Sequence, residues 1–362
     1  MSIRPKFTLL NKQLIRPSAL DSKPRNKNLI WLDKNENIDP ILQKVTKNVM
    51  DSISIESINT YPEAGPLYKK ISKLYGTQED GLILTPGSDG AIRMVFEAFV
   101  NENDCIFHTY PTFAMYPVYS KIFGANVTLF EYSNKNGQPF LDTNLLIEKI
   151  KSLKPKLVCL PNPDSPTGTI VENKVIIEIL NACEISNSIL LIDEAYYPFY
   201  NDSPIELTFN SRNIIIARTF AKAWGAAGMR IGYAIGHPDT ILYLHKIRPM
   251  YELGTIPIEF MNKMLDYENE MLDSVKRIKL ARSYFVDEMR NLGFKVINTE
   301  ANFVHVNFGL KSTLIQEYLS DKVLYRHFID HQSLQGFSRF SIGTLDIMEK
   351  IVNWIKTSIN NN

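Results

Sequence analysis

Arg218-Thr-Phe-Ala-Lys-Ala-Trp-Gly-Ala-Ala-Gly-Met-Arg230 follows an apolar run, Asn213-Ile-Ile-Ile-Ala217, that reads as a buried strand. A lysine, Lys222, thus stands just past a strand and just before a run of small residues, where its amine can form an imine with an aldehyde. Upstream, Ile189-Leu-Leu-Ile192 runs directly into Asp193-Glu-Ala-Tyr196. Polar groups therefore gather at the carboxyl ends of two strands, which is where open α/β sheets bind ligands.

Asp193, Tyr196, Lys222 and Arg230 together form a set able to hold a pyridine aldehyde that carries a phosphate. The lysine would condense with the aldehyde and the aspartate would keep the ring nitrogen protonated, so that the ring can take up electrons. Tyr196 would hydrogen-bond the ring hydroxyl, and Arg230 would meet the phosphate. Taken singly, each has a plainer explanation: Lys222 as a solvated surface charge, Asp193 as a helix N-cap. Thr85-Pro-Gly-Ser-Asp-Gly90 lies between a strand and a helix whose Ile92, Val95, Phe96 and Phe99 share one face. Such a glycine-led turn aims backbone N–H groups at an anion; the competing reading is Ser88 or Asp89 as a simple N-cap.

In the order and company of these motifs, from Asn35-Glu-Asn37 to Arg339-Phe-Ser-Ile-Gly343, the chain resembles the fold-type I aminotransferases dependent on pyridoxal 5′-phosphate, and among them the histidinol-phosphate aminotransferases. The resemblance implies an α/β fold with a mainly parallel seven-stranded sheet in a large domain and a smaller α/β domain beside it. It implies that the turn holding Gly87, Ser88 and Asp89 binds the cofactor phosphate with Thr219 and Arg230. Phe113, third in Pro111-Thr-Phe-Ala-Met-Tyr116, would stack on the pyridine ring, although a core aromatic is the alternative. Asn162-Pro-Asp-Ser-Pro-Thr-Gly168 matches a loop in which Asn162 serves the cofactor, and Ser165 stands where relatives have an asparagine facing the ring hydroxyl. Ala221 replaces a serine beside the lysine, a lost hydroxyl worth about 0.5–1.5 kcal/mol of cofactor binding.

For the substrate, the resemblance implies that Arg339 grips an α-carboxylate, that Arg326 recognises the phosphate of a phosphorylated substrate, and that Asn35 and Asn302 lie nearby. Tyr61, in Thr60-Tyr61-Pro62, resembles a tyrosine that reaches the phosphate of the neighbouring subunit's cofactor, which implies a homodimer; a turn residue ahead of a helix is the competing reading. The implied reaction transfers an amino group between an amino acid, with glutamate as the common donor, and a small phosphorylated compound. Its rivals are decarboxylation of a phosphorylated amino acid and cofactor binding without turnover.

Composition agrees with a small-molecule enzyme. The chain has 362 residues, 44% of them hydrophobic, enough for one large and one smaller domain. Lys plus Arg (40) nearly cancels Asp plus Glu (39), so there is no electrostatic footprint for nucleic acid or an anionic membrane. Cys105, Cys159 and Cys183 are too scattered for a disulfide framework. No apolar run approaches a bilayer span and Met1-Ser-Ile-Arg-Pro-Lys-Phe does not read as a signal peptide, so the expected compartment is the cytoplasm.

The first thirty residues read as an arm. Strand candidates at Leu82–Leu84, Cys105–Phe107, Val127–Phe130, Leu157–Leu160, Ile189–Ile192 and Ile214–Ala217 alternate with helical stretches. One long helical pattern from about Ile256 through Leu292 is followed by strands at 293–297, 303–306 and 339–342. The expected division is 1–44, an arm with part of the small domain; 45–255, the large domain; and 256–362, the small domain. The Asn-rich end, Asn360 to Asn362, reads as frayed. His327 and His331 are four apart, but with no third ligand type nearby they read as pocket-edge or surface residues, not a metal site.

Overall fold

Strands that are apolar on both faces need a layer of helices on each side, and the middle of the chain builds that arrangement. In the computed structural model, which describes residues 5–10, 14, 24–327 and 331–360, the strands are β1 (Ile30–Trp31), β2 (Leu82–Thr85), β3 (Cys105–Tyr110), β4 (Asn126–Glu131), β5 (Ser133–Lys135), β6 (Gln138–Phe140), β7 (Leu157–Pro161), β8 (Ile189–Asp193), β9 (Ile214–Thr219), β10 (Gly232–Gly236), β11 (Lys295–Ile297), β12 (Phe303–Asn307), β13 (Val323–Leu324) and β14 (Ser338–Ser341). One sheet has seven strands in the order β2-β10-β9-β8-β7-β3-β4. All run parallel except β10, which is antiparallel to both neighbours.

Side chains alternate across this sheet with the period of two that a strand imposes. Leu191, Ile215 and Ala217 pack on one face with Ile92, Val95 and Phe96 of the helix Gly87–Phe99. Leu190, Ile192, Ile214 and Ile216 pack on the other with Ile176, Ile179 and Leu180 of the helix Asn173–Ser186. Each of these side chains is buried, and all but Ala217 are large enough to contribute about 1.5–3 kcal/mol of hydrophobic free energy apiece.

The six apolar runs are all strands of this sheet, and β10 is the seventh. Its sequence, Gly-Tyr-Ala-Ile-Gly, begins and ends in glycine, which hides it from an apolar-run reading. Between Thr219 and Gly232 there is no crossover helix, so the chain returns antiparallel. The long pattern from 256 to 292 is two helices, Thr255–Met264 and Glu268–Asn291, joined by the tight turn Leu265–Tyr267. Met264 and Met271 are both buried and seven residues apart, a spacing that masks the break between them.

β11, β12 and β14 form a second, antiparallel sheet in the order β11-β12-β14, and β1 pairs with β13. The expected arm is described only in part: Phe7–Leu10 is a single 3-10 turn, while 1–4, 11–13 and 15–23 lie outside the described residues, as do Asn361 and Asn362. Cys105, Cys159 and Cys183 are free, the last two buried. Among the described residues no helix is long and apolar enough to cross a membrane.

Candidate active site

Register brings the carboxyl ends of the parallel strands into line. Pro161 pairs with Asp193, Asp193 with Ala217, and Gly232 with both Thr219 and Thr85. Because β10 runs backwards, it is its amino end, preceded by Arg230, that lies beside these carboxyl ends. Gly87 follows β2 at φ +74°, and a Cβ there would sit 2.9 Å from Arg230 Nη2 and 3.7 Å from Thr219 Oγ1. Gly232 is equally confined, with a Cβ falling 2.6 Å from the Gly87 carbonyl carbon. Backbone, guanidinium and hydroxyl therefore converge where the helix Gly87–Phe99 starts. Neither Ser88 nor Asp89 caps that helix; its N-cap is Pro86, with no side-chain capping bond.

A cavity of about 610 Å³ opens above these strand ends. Of the residues expected at the site, Asn35, Ser88, Asp89, Phe113, Ser165, Asp193, Tyr196, Thr219, Lys222, Arg230, Arg326 and Arg339 line it. Gly87 lies behind Arg230. Asn162 is set back, its amide committed at both ends to Val171, accepting from the backbone N–H at 2.9 Å and donating to the carbonyl at 3.0 Å. Asn302 is buried behind Asn35 and donates to its carbonyl at 3.0 Å. Tyr61 lies elsewhere, 75% exposed and stacked on Tyr251 with ring centroids 4.5 Å apart.

Lys222 stands at the floor of the cavity and donates to the Lys34 carbonyl at 2.6 Å. The residue is half-buried, and desolvation by the surrounding protein lowers the amine's pKa to about 8; Arg339 and Arg230 push the same way, against Glu36 and Asp193. Asp193 is raised to about 7, chiefly by burial, which the Ala195 N–H at 3.1 Å only partly offsets and the charges of Asp89 and Asp164 reinforce. Among the described residues no cation forms an ion pair with Asp193, whose carboxylate accepts only from the Ala195 N–H and, at 3.5 Å, from the Tyr116 hydroxyl.

Tyr196 joins three segments. Its hydroxyl accepts from Asn35 Nδ2 at 2.9 Å and donates to Ser165 Oγ at 3.3 Å. Asn35, at φ +55°, is held in turn by Ser341, whose hydroxyl accepts from its N–H at 2.8 Å and donates to its Oδ1 at 2.9 Å. Arg326 and Arg339 pair backbone to backbone and share one acceptor: the Asp33 carbonyl receives Arg326 Nε at 3.2 Å and Arg339 Nη2 at 3.0 Å. Arg339 Nε is buried without a hydrogen-bond partner, and burial followed by the neighbouring Arg326 charge lowers the guanidinium's pKa. Two adjacent cations with an unused donor are suited to anions.

Sequence reasoning missed Asp33 and Lys34, because they act through carbonyls and a carbonyl leaves no side-chain signal; only their adjacency to Asn35 marks them. His327 lines the cavity beside Arg326, whereas His331 is buried against Tyr110 and Ser333. Among the described residues no group of three metal-ligating side chains occurs.

Pyridoxal 5′-phosphate fits this donor set. Asp193 is a buried carboxyl in want of a cation, such as a protonated ring nitrogen. The Gly87–Thr219–Arg230 cradle has room for anion oxygens only because Gly87 lacks a side chain, and an amine near pKa 8 is readily deprotonated for bonding to an aldehyde.

Residues 27–355 match the family model described as aminotransferase class I and II. The chain is 30% identical over 331 residues to a histidinol-phosphate aminotransferase of Thermoanaerobacter pseudethanolicus, covering 90% of this chain and 92% of that protein. In fold it is similar to a histidinol-phosphate aminotransferase of Clostridium acetobutylicum (TM-score 0.80, 23% identity, 92% of this chain and 100% of that one). It is likewise similar to one from Sinorhizobium meliloti in complex with pyridoxal-5′-phosphate (TM-score 0.82, 19% identity, 100% and 99%). With the family matched over nearly the whole chain, the protein belongs to the class I and II aminotransferases, pyridoxal-phosphate-dependent transaminases of fold type I.

Proposed function

We propose that this aminotransferase moves an amino group between an amino acid, with glutamate as the common donor, and a small phosphorylated compound of the histidinol phosphate type. The observation that carries this is the pair Arg326 and Arg339, side by side in the cavity that Lys222 also lines, which offers one guanidinium to a carboxylate and a second to a phosphate. The curated relatives named for histidinol phosphate support the same substrate class.

When bound, pyridoxal 5′-phosphate supplies an aldehyde that links to amines and a ring that accepts negative charge from the substrate carbon. The chain's residues do the rest. Gly87, Ser88, Asp89, Thr219 and Arg230 would hold the phosphate, Phe113 would cover one ring face, and Asp193 would keep a proton on the ring nitrogen. Tyr196, with Ser165 and Asn35, would hydrogen-bond the ring hydroxyl. Lys222 would anchor the aldehyde, then take the proton from the substrate Cα and return it during transfer. Arg339 would fix the α-carboxylate so that this bond faces the lysine. Asn162 and Asn302 would support the loops on which these groups sit.

A homodimer with Tyr61 crossing its interface belongs to the same proposal. Ile55, Ile58, Tyr61, Met250 and Tyr251 are all exposed, an apolar surface that a second copy would cover. The division at 1–44, 45–255 and 256–362 is supported by the strands of the seven-stranded sheet, which all come from 82–236, and by the pairing of 30–31 with 323–324. Free thiols suit the cytoplasm.

A donor–acceptor screen tests the function. Glutamate should convert the bound cofactor to its amine form, and Arg326→Ala should raise KM about tenfold or more for phosphorylated substrates with little effect on unphosphorylated ones. Release of carbon dioxide from a phosphorylated amino acid without amino transfer would overturn it.

A further inference from the structure

The stretch from Arg25 to Asn37 contributes backbone rather than side chains to three of the site's cations, Lys222, Arg326 and Arg339. The Asp33 carbonyl receives Arg326 and Arg339, and the Lys34 carbonyl receives Lys222. What fixes that backbone lies on its outer side. Asn26 turns the chain, its carbonyl accepting from Leu29 N at 3.2 Å and from Trp31 Nε1 at 2.8 Å. This folds Arg25 back over the Trp31 ring, 4.0 Å from its centroid. There Arg25 grips Glu36 with both arms of its guanidinium, at 2.7 and 2.8 Å, and reaches Asp33 at 3.0 Å.

We propose that Arg25 and Glu36 are positioning residues of the active site, acting through the Asp33–Asn35 backbone on Arg326, Arg339 and Lys222. Their fork-to-carboxylate pairing, braced on an aromatic face, is the geometry in which an arginine loses least on ordering. The pair closes the only stretch of chain whose carbonyls touch all three cations among the described residues. It also reaches Lys222 through charge. The Glu36 carboxylate, held below its ordinary range by the Arg25 hydrogen bond, favours the protonated amine of Lys222, while the Arg25 charge offsets part of that influence. The other charged groups facing Lys222 are Arg339 from β14, Arg230 ahead of β10 and Asp193 at the end of β8. Asp33, Lys34, Asp89, Tyr196, Arg326 and His327 line the same cavity.

The proposal rests on Lys222 as the lysine that carries the cofactor. Its test uses the loaded enzyme and the variants Arg25→Gln, Glu36→Gln and Arg25→Lys. Two quantities are read: the pH midpoint of the bound cofactor's absorbance, and KM and kcat with an anionic amino donor. Removing the cation should move the midpoint up, and removing the carboxylate should move it down. Both variants should raise KM about threefold to tenfold with kcat changed less than about threefold, because the arginines lose their backbone template. Arg25→Lys, which keeps charge without the fork, should restore the midpoint and leave KM raised. Midpoints that move together or not at all, with KM unchanged, would overturn the proposal. Absence of any cofactor absorbance in the unaltered protein would overturn the role of Lys222 and this proposal with it.

Discussion

Replacing Asp193 by asparagine should stabilise the cofactor-free protein at alkaline pH while weakening its hold on the cofactor. Burial raises this carboxyl from its ordinary 3.8 to about 7. An acid whose pKa is higher folded than unfolded binds its proton more tightly in the native state, so stability falls as pH rises between those two values. The cost is absent below 3.8, grows through the window, and is complete above 7, where it amounts to about 4 kcal/mol. Relaxation around the charge reduces it, leaving a gain of about 2–4 kcal/mol for the neutral amide at pH 8 and a smaller one at pH 5. Asp164, also buried and raised to about 7, is common to both proteins and cancels to first order. Urea denaturation at the two pH values measures the difference. In the same variant, loss of a charge-assisted bond to the ring nitrogen should weaken cofactor binding roughly tenfold to a hundredfold, read by absorbance titration. An asparagine variant less stable than the parent at pH 8, or a difference independent of pH, would refute the picture of an uncompensated buried carboxyl awaiting a cation.

Lys222→Ala should abolish the imine absorbance and all amino transfer, and retained turnover would remove the lysine from the mechanism. Gly87→Ala places a methyl 2.9 Å from Arg230 Nη2 at a positive φ, so cofactor phosphate affinity should fall by about 1–3 kcal/mol, measured with pyridoxal phosphate against unphosphorylated pyridoxal; equal losses for the two would contradict a phosphate cradle. Tyr61→Ala should weaken both cofactor binding and dimer formation in sedimentation experiments, and an unchanged monomer would exclude the interface role.

How far the chain could be read without coordinates depended on where the information resides. Strands such as Ile189–Asp193 and Ile214–Thr219 are legible because burial on both faces demands an unbroken aliphatic run. β10 is not, because Gly232 answers to the close approach of Gly87 and the Arg218 carbonyl and Gly236 to that of Ile241, tertiary demands that look like turns in one dimension. The side chains lining the cavity were similarly legible, since each carries its chemistry in its identity. The orientation of Asn162 is not legible in this way, because the loop that bears it turns the amide inward onto Val171.

Residue order alone specified the α/β alternation, the lysine and aspartate at adjacent strand ends, and the arginines near the carboxyl terminus, because periodicity and side-chain chemistry are local properties of a chain. Only folding decided the reversed strand that delivers Arg230 to Gly87, the pairing of Arg326 with Arg339 on one carbonyl, and the clasp of Arg25 on Glu36 that aims that carbonyl. Those depend on register and on backbone groups that every residue possesses, so their placement is set by long-range packing and hydrogen bonding between segments as much as 306 residues apart.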